Sequence, residues 1–176
     1  MRASIRRTLL LSIIAATQAL PAASIVAARP KTALEWNDPN DIARISRAFQ
    51  TWTDAVIAKD RATIESFHDE GFRAGLGDRI FTKAQHIQLE LAVGNTEMKL
   101  LRVTATRHVG DILLVWSKHF IRVNSLPQIP SLGLVGDWGD EEAAKRGFTQ
   151  GEFSVWRFEG NRIKCLSFAA TRVSEK

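Results

Sequence analysis

Tyrosine is absent from the 176 residues, cysteine occurs once and methionine twice. The lone Cys165 cannot close an intramolecular disulfide, so stability has to come from a packed core. Three chemistry-bearing patterns are also missing. There is no Gly-x-Ser-x-Gly elbow, no Gly-Lys-Ser/Thr phosphate loop and no strand-linked Gly-x-Gly-x-x-Gly, so the serine-hydrolase, phosphate-loop and dinucleotide-binding fingerprints are absent. With 45% hydrophobic and 24% charged residues, the composition is that of a globular protein rather than a fibrous, disordered or multi-spanning one.

The formal charge of +5 suggests an anionic partner, but Arg2, Arg6 and Arg7 carry three of those charges ahead of a short apolar run. Without them, 21 basic residues face 19 acidic ones, with no basic tract. A nucleic-acid groove has little electrostatic support, and no nucleic-acid partner is expected.

Arg2 to Arg7, the apolar stretch Thr8 to Leu20 and the small residues Pro21 to Ala28 follow the order of a secretory signal. Residues 1–28 are therefore read as a cleaved signal peptide, and the mature chain as exported, periplasmic or secreted. Cleavage after Ala23, Ser24 or Ala28 fits equally. The competing reading, an uncleaved anchor, has only thirteen residues, including Ser12, Thr17 and Gln18, where a span needs roughly 20. No stable membrane insertion is expected after cleavage. About 148 residues then remain, enough to bury close to 70% of their unfolded surface without staples.

Residues 29–37 read as a linker and 38–176 as a single domain. Asp38-Pro39-Asn40-Asp41 sets a capping carboxylate before a proline and predicts a long helix, with Ile42, Ile45, Phe49, Trp52 and Val56 as its apolar stripe. Arg44, Arg47, Asp54 and Lys59 should stay wet. Asp60 caps a short second helix with Ile64 and Phe67, and Thr82-Lys83-Ala84-Gln85 opens a third as a capping box. Between them, Phe72 to Phe81 reads as two short extended pieces around a turn. Beyond Gly94 the pattern becomes β, with strands expected over 99–107, 112–123, 150–158 and 163–173. Helices first and a meander of strands afterwards predicts an α+β fold, with helices on one face of an antiparallel sheet.

Residues 124–147 form an insertion too long for a hairpin, punctuated by Pro127, Pro130, Gly133, Gly136, Gly139 and Gly147. Asp140 to Arg146 can form one or two helical turns within it. Two readings stay open: a lid or partner-contacting loop, and a mobile insertion without a specific task.

Two segments carry a resemblance to a known family. Phe49 to Asp60 followed by Phe67-His68-Asp69-Glu70-Gly71-Phe72, and Phe153 to Ile163 with its aromatic-Arg-aromatic strand and turn glycine, resemble the nuclear transport factor 2-like superfamily in its SnoaL-like and ketosteroid-isomerase-like branch. The resemblance covers residues 38–173 and implies a cone-shaped curved sheet wrapped around three N-terminal helices, with a pocket between sheet and long helix. It also implies dimerisation through the outer sheet face. The branch holds isomerases, cyclases and dehydratases beside members of no assigned chemistry.

The isomerase mechanism of that branch needs a carboxylate base and acidic donors for an oxyanion. Aligned on the motifs, its tyrosine falls on Trp52, its base aspartate near Gly75 with Asp78 the nearest acid, and its second aspartate on Ser154. All three depart, so that catalytic set is missing. Trp52, Phe72, Trp116, Ser154 and Trp156 are the candidate pocket lining, suited to a small apolar ligand; the competing reading is that the aromatics simply fill the core.

His68, His86, His108 and His119 show no short metal-ligand spacing, and no metal or cofactor is expected. Lys118 and His119 are adjacent in one strand, so one of them faces the cavity. Leu113, Val115, Ile121, Phe153 and Val155 are taken to share the face opposite to Trp116 and Ser154, leaving both faces apolar. A homodimer through the outer face is expected on that ground too. The chain thus reads as an exported ligand-binding or dimerising module. The alternative is an enzyme performing isomerase, dehydratase or cyclase chemistry with an unusual base, drawn from His119, Lys118 or Asp78.

Overall fold

In the computed structural model the described residues are 36–135, 141–160 and 162–173. The signal segment 1–28, residues 29–35 of the linker, 136–140 of the insertion, Asn161 and residues 174–176 at the end of the domain lie outside them.

Helix α1 runs Pro39–Ala58, and the Asp38 carboxylate accepts from the Asn40 amide at 2.8 Å, as its proline-led start predicts. Helix α2, Arg61–Phe67, is capped by Asp60, which takes both the amide and the hydroxyl of Thr63. Helix α3, Lys83–Ala92, opens on the reciprocal Thr82–Gln85 capping box. Between α2 and α3, β1 (His68–Leu76) and β2 (Arg79–Thr82) form a hairpin that turns at Gly77, where φ is +62°. Four long strands follow: β3 (Asn95–Val109), β4 (Ile112–Val123), β5 (Phe148–Glu159) and β6 (Arg162–Val173).

The sheet is open and six-stranded, in the order β2-β1-β6-β5-β4-β3. The meander is antiparallel as expected, but β1 joins β6 in parallel, so the sheet is not antiparallel throughout. The two strands are far apart in sequence and neither carries a signal for the other. Bulges in β3, at the β1–β6 junction and in β6 opposite Val155 and Trp156 bend the sheet around the helices. Inside the curve, Ile45 and Phe49 of α1 meet Phe72, Leu113, Val115 and Trp156 in one buried cluster. Arg44, expected to be wet, instead donates to the Gly160 carbonyl at 2.6 Å and lies 3.8 Å over the Phe158 ring, tying α1 to the β5–β6 hairpin.

Register corrects the assignment of faces. Strand β4 pairs with β5 so that Leu113 opposes Trp156, Val115 opposes Ser154, and Trp116 opposes Phe153. Residues opposite each other share a face. Leu113, Val115, Ser154 and Trp156 therefore all point inward, while Trp116, Phe153 and Val155 point outward. Assigning faces by odd and even numbers across two strands fails here because the register couples odd positions of β4 to even positions of β5. On the outer face Trp116 packs against Phe153 at 4.9 Å and against Trp36 at 5.8 Å. Trp36 and Asn37 are held to β3: Asn37 donates its amide to the Thr106 carbonyl, and its side chain accepts from the Thr106 amide.

The described part of the insertion is packed. Ile129 and Leu134 are buried against Leu89 of α3, around a 3-10 turn at Pro130–Leu132. The short helix α4, Glu141–Arg146, buries Ala143 and Ala144.

Candidate functional site

Between α1, α3 and the inner sheet face lies a cavity of about 220 Å³. Its walls are mainly apolar, with Val56, Met98, Ile121 and Phe168 among them, and Leu126 of the insertion contributes to its lining. Among the described residues, five polar side chains enter it: His86 and Glu90 from α3, His119 from β4, and Gln150 and Glu152 from β5.

Of the five lining residues expected from sequence, Trp52 reaches this cavity. Phe72 and Trp156 border a neighbouring crevice of about 10 Å³, which is at the lower limit of what one water needs. Ser154 is fully buried and accepts from the Trp156 indole at 2.9 Å, one step behind Glu152. Trp116 lies on the opposite side of the sheet. His119 points inward and is 3% exposed, whereas its neighbour Lys118 falls on the outer face. Asp78 sits exposed beside Gly77 in the β1–β2 turn, away from the cavity.

The cavity's ionisable groups lie in pairs. Glu152 Oε2 and His119 Nε2 are 3.9 Å apart, and His119 Nε2 is 2.8 Å from the Ser117 hydroxyl, which shares its face of β4. Burial pushes the Glu152 carboxyl up to about 8, opposed by a hydrogen bond from Ser154. Burial lowers His119 to about 4. At neutral pH Glu152 therefore carries its proton and His119 is uncharged.

On the helical side, His86 and Glu90 are one turn apart on α3, and His68 at the α2–β1 junction completes a buried trio. His68 Nε2 lies 3.2 Å from His86 Nδ1, and Glu90 Oε2 lies 3.5 Å from His86 Nδ1 and 3.9 Å from His68 Nε2. Burial lowers His68 to about 4 and His86 well below its usual range. It raises Glu90 well above the carboxylate range; the nearby Trp52 indole pulls the other way without closing a hydrogen bond.

Sequence reasoning missed Glu90 and Glu152, and it set His68 and His86 aside for want of a short metal-ligand spacing. The i, i+4 spacing of His86 and Glu90 was visible, but an amphipathic helix presents many such pairs. His68 joins them only through the turn of the chain at β1. Glu152 sits in a strand beside Gly151, where alternation alone leaves the inward face undecided.

Neither protein-family models nor curated sequences match the chain. Solved structures do match it in shape. An NTF2-like protein from Cytophaga hutchinsonii superposes with a TM-score of 0.58 at 12% identity, over 77% of this chain and 99% of that one. An NTF2-like protein of unknown function in nutrient uptake from Rhodospirillum rubrum gives 0.56 at 13% identity, over 74% and 98%. A candidate dehydratase of the NTF2-like family from Streptomyces avermitilis gives 0.55 at 17% identity, over 78% and 99%. The fold is that of the nuclear transport factor 2-like proteins, in agreement with the motifs at 49–72 and 153–163.

Proposed function

We propose that this chain binds a small, largely apolar molecule in the cone and moves a proton on it, with Glu152 as the acid and His119 as the base. One observation carries the reading: a protonated carboxyl and a neutral imidazole, 3.9 Å apart, border the same mainly apolar cavity. Environments that drive two titratable groups in opposite directions are the mark of an acid and base pair. The cavity is smaller than those that take drug-sized ligands, which favours a molecule of one or two small rings.

The step is an enolisation. His119 accepts a proton from the carbon beside a carbonyl, the C–H electron pair becomes a C=C bond, and Glu152 gives its proton to the carbonyl oxygen. Return of a proton at another carbon yields an isomer. Loss of a β-hydroxyl as water yields a dehydration product. Dehydration is the reaction class named for the Streptomyces avermitilis protein, whose likeness to this chain is one of fold.

The test is deuterium incorporation from solvent, followed by proton NMR over a panel of small cyclic ketones and β-hydroxy ketones, with thermal shift reporting binding. Exchange in the wild type, lost in Glu152→Gln and His119→Ala while binding persists, supports the reading. Binding without exchange leaves a ligand-binding module; neither binding nor exchange sets the cavity aside.

The segment 1–28 supports an exported chain. A homodimer through the outer sheet face is supported by the Trp36–Trp116–Phe153 row, where Trp36 is 53% exposed.

A further inference from the structure

The geometry points to a divalent-cation site of the zinc class at His68, His86 and Glu90, with its open side toward the cavity. It does not depend on proton transfer by Glu152 and His119.

Three donor atoms, His68 Nε2, His86 Nδ1 and Glu90 Oε2, form a triangle with edges of 3.2, 3.5 and 3.9 Å. The point equidistant from its corners lies about 2.1 Å from each, which is the length of a bond from zinc to imidazole nitrogen or carboxylate oxygen. A slight shift off the plane leaves that length nearly unchanged and opens a fourth, tetrahedral position.

The surroundings orient the donors as a ligand shell requires. His68 Nδ1 donates to the Ile64 carbonyl at 2.8 Å, which leaves the lone pair of Nε2 directed at the trio. His86 and Glu90 descend from consecutive turns of one helix and need no loop to hold their spacing. Phe72 and Phe168 pack against the imidazoles, at 4.2 Å from the His68 ring and 5.0 Å from the His86 ring, and exclude water from that side.

Without a cation the Glu90 carboxyl is left without a hydrogen-bond partner among the described residues. Both oxygens of Glu90 are buried and neither accepts a hydrogen bond from a described residue. Whether or not Glu90 carries a proton, His86 Nδ1 at 3.5 Å and His68 Nε2 at 3.9 Å stand at or beyond the limit of hydrogen-bond length from it, and the short contact, 3.2 Å, joins the two imidazoles to each other. A buried carboxyl left in that state needs an explanation, and a cation between the three atoms satisfies all of them at once. Two nitrogens and one oxygen suit zinc and its cobalt and nickel neighbours; magnesium and calcium prefer all-oxygen shells. His86 and Glu90 also line the 220 Å³ cavity, so a ligand there adjoins the open position.

The experiment uses tag-free, full-length protein stripped with chelator. Zinc is titrated by calorimetry and cobalt by visible absorption, with magnesium for comparison. One equivalent of zinc or cobalt should bind, with cobalt bands of a low-coordinate site and no response to magnesium. Glu90→Gln and His86→Ala should each weaken binding by more than about 100-fold, the upper end of what loss of an outer-shell partner alone produces. Asp78→Asn, in the exposed turn, should bind as the wild type does. Should either core variant fail to fold by circular dichroism, X-ray absorption of the wild-type zinc complex decides, with two imidazole nitrogens and one carboxylate oxygen expected. No stoichiometric binding by the wild type, binding undiminished in both folded variants, or an all-oxygen shell would each overturn the proposal.

Discussion

Glu152 and His119 meet diagonally across β4 and β5, Oε2 to Nε2 at 3.9 Å, because His119 pairs with Gln150 and Ser117 with Glu152. Each strand sends its polar side chain inward at the place where the cavity replaces packed core. Burial then raises one and lowers the other, so the uncharged forms coexist at neutral pH.

That arrangement predicts a decline of stability on the alkaline side. The folded Glu152 holds its proton up to about 8, whereas in the unfolded chain it ionises near 4.5, so its contribution is present below 4.5 and is lost as pH rises through 8. His119 behaves oppositely: its contribution is present above 6.5 and is lost as pH falls through about 4. Between 4.5 and 6.5 the two oppose each other; from 6.5 to 8 Glu152 acts without that opposition, with a slope of up to about 1.4 kcal/mol per pH unit. Denaturant melts of chelator-treated protein should fall over that range, and Glu152→Gln should make the fall shallower. A wild-type profile that rises from 6.5 to 8 contradicts the assignment.

Under the proposed chemistry, His119→Ala and Glu152→Gln should each reduce solvent-exchange turnover by roughly 10²–10⁴-fold, the span of a general acid or base. Ser117→Ala should act more mildly, since the hydroxyl steadies the ring without meeting the substrate. Single-turnover exchange rates make the comparison, and equal losses in all three variants would argue for a structural effect instead.

Phe49 is 1% exposed and its ring touches His119 at 4.8 Å and Trp156 at 5.3 Å. Phe49→Ala should cost about 3–5 kcal/mol in urea unfolding, the range for a buried aromatic truncated to a methyl. A loss below about 1 kcal/mol would mean that the site collapses around the gap.

Gly147 has φ +89°, and a Cβ there would strike the Phe120 ring. Gly147→Ala combines a left-handed backbone with that contact and should lower stability by about 1–3 kcal/mol. Gly110, with φ +64° but open space around it, should lose less on the same change, which thermal melts of the two variants compare directly.

If the outer face carries a second copy of the chain, Trp116→Glu should sediment as a monomer under conditions where the wild type sediments as a dimer. A wild type that is monomeric at micromolar concentration ends that reading.

Local chemistry wrote the helices plainly. Asp38, Asp60 and Thr82 each start a helix where the capping pattern places one, because a cap depends on residues three or four positions away. The four long strands were legible for the same reason: alternation and β-branched composition are properties of a short window. The pocket was not. Trp52 lies on a helix whose buried stripe is readable, and it reaches the cavity; Trp116 lies on a strand, and which face of it points inward depends on pairing with β5.

What the sequence determined by itself is the set of elements, their order and their caps, all governed by contacts within a few residues. The parallel joining of β1 to β6, the register that turns His119 and Glu152 inward, and the meeting of His68 with His86 and Glu90 were decided by the tertiary structure. Each couples segments 18 to about 100 residues apart, and it is the burial common to all of them, rather than any local preference, that tunes their protons and brings their donor atoms together.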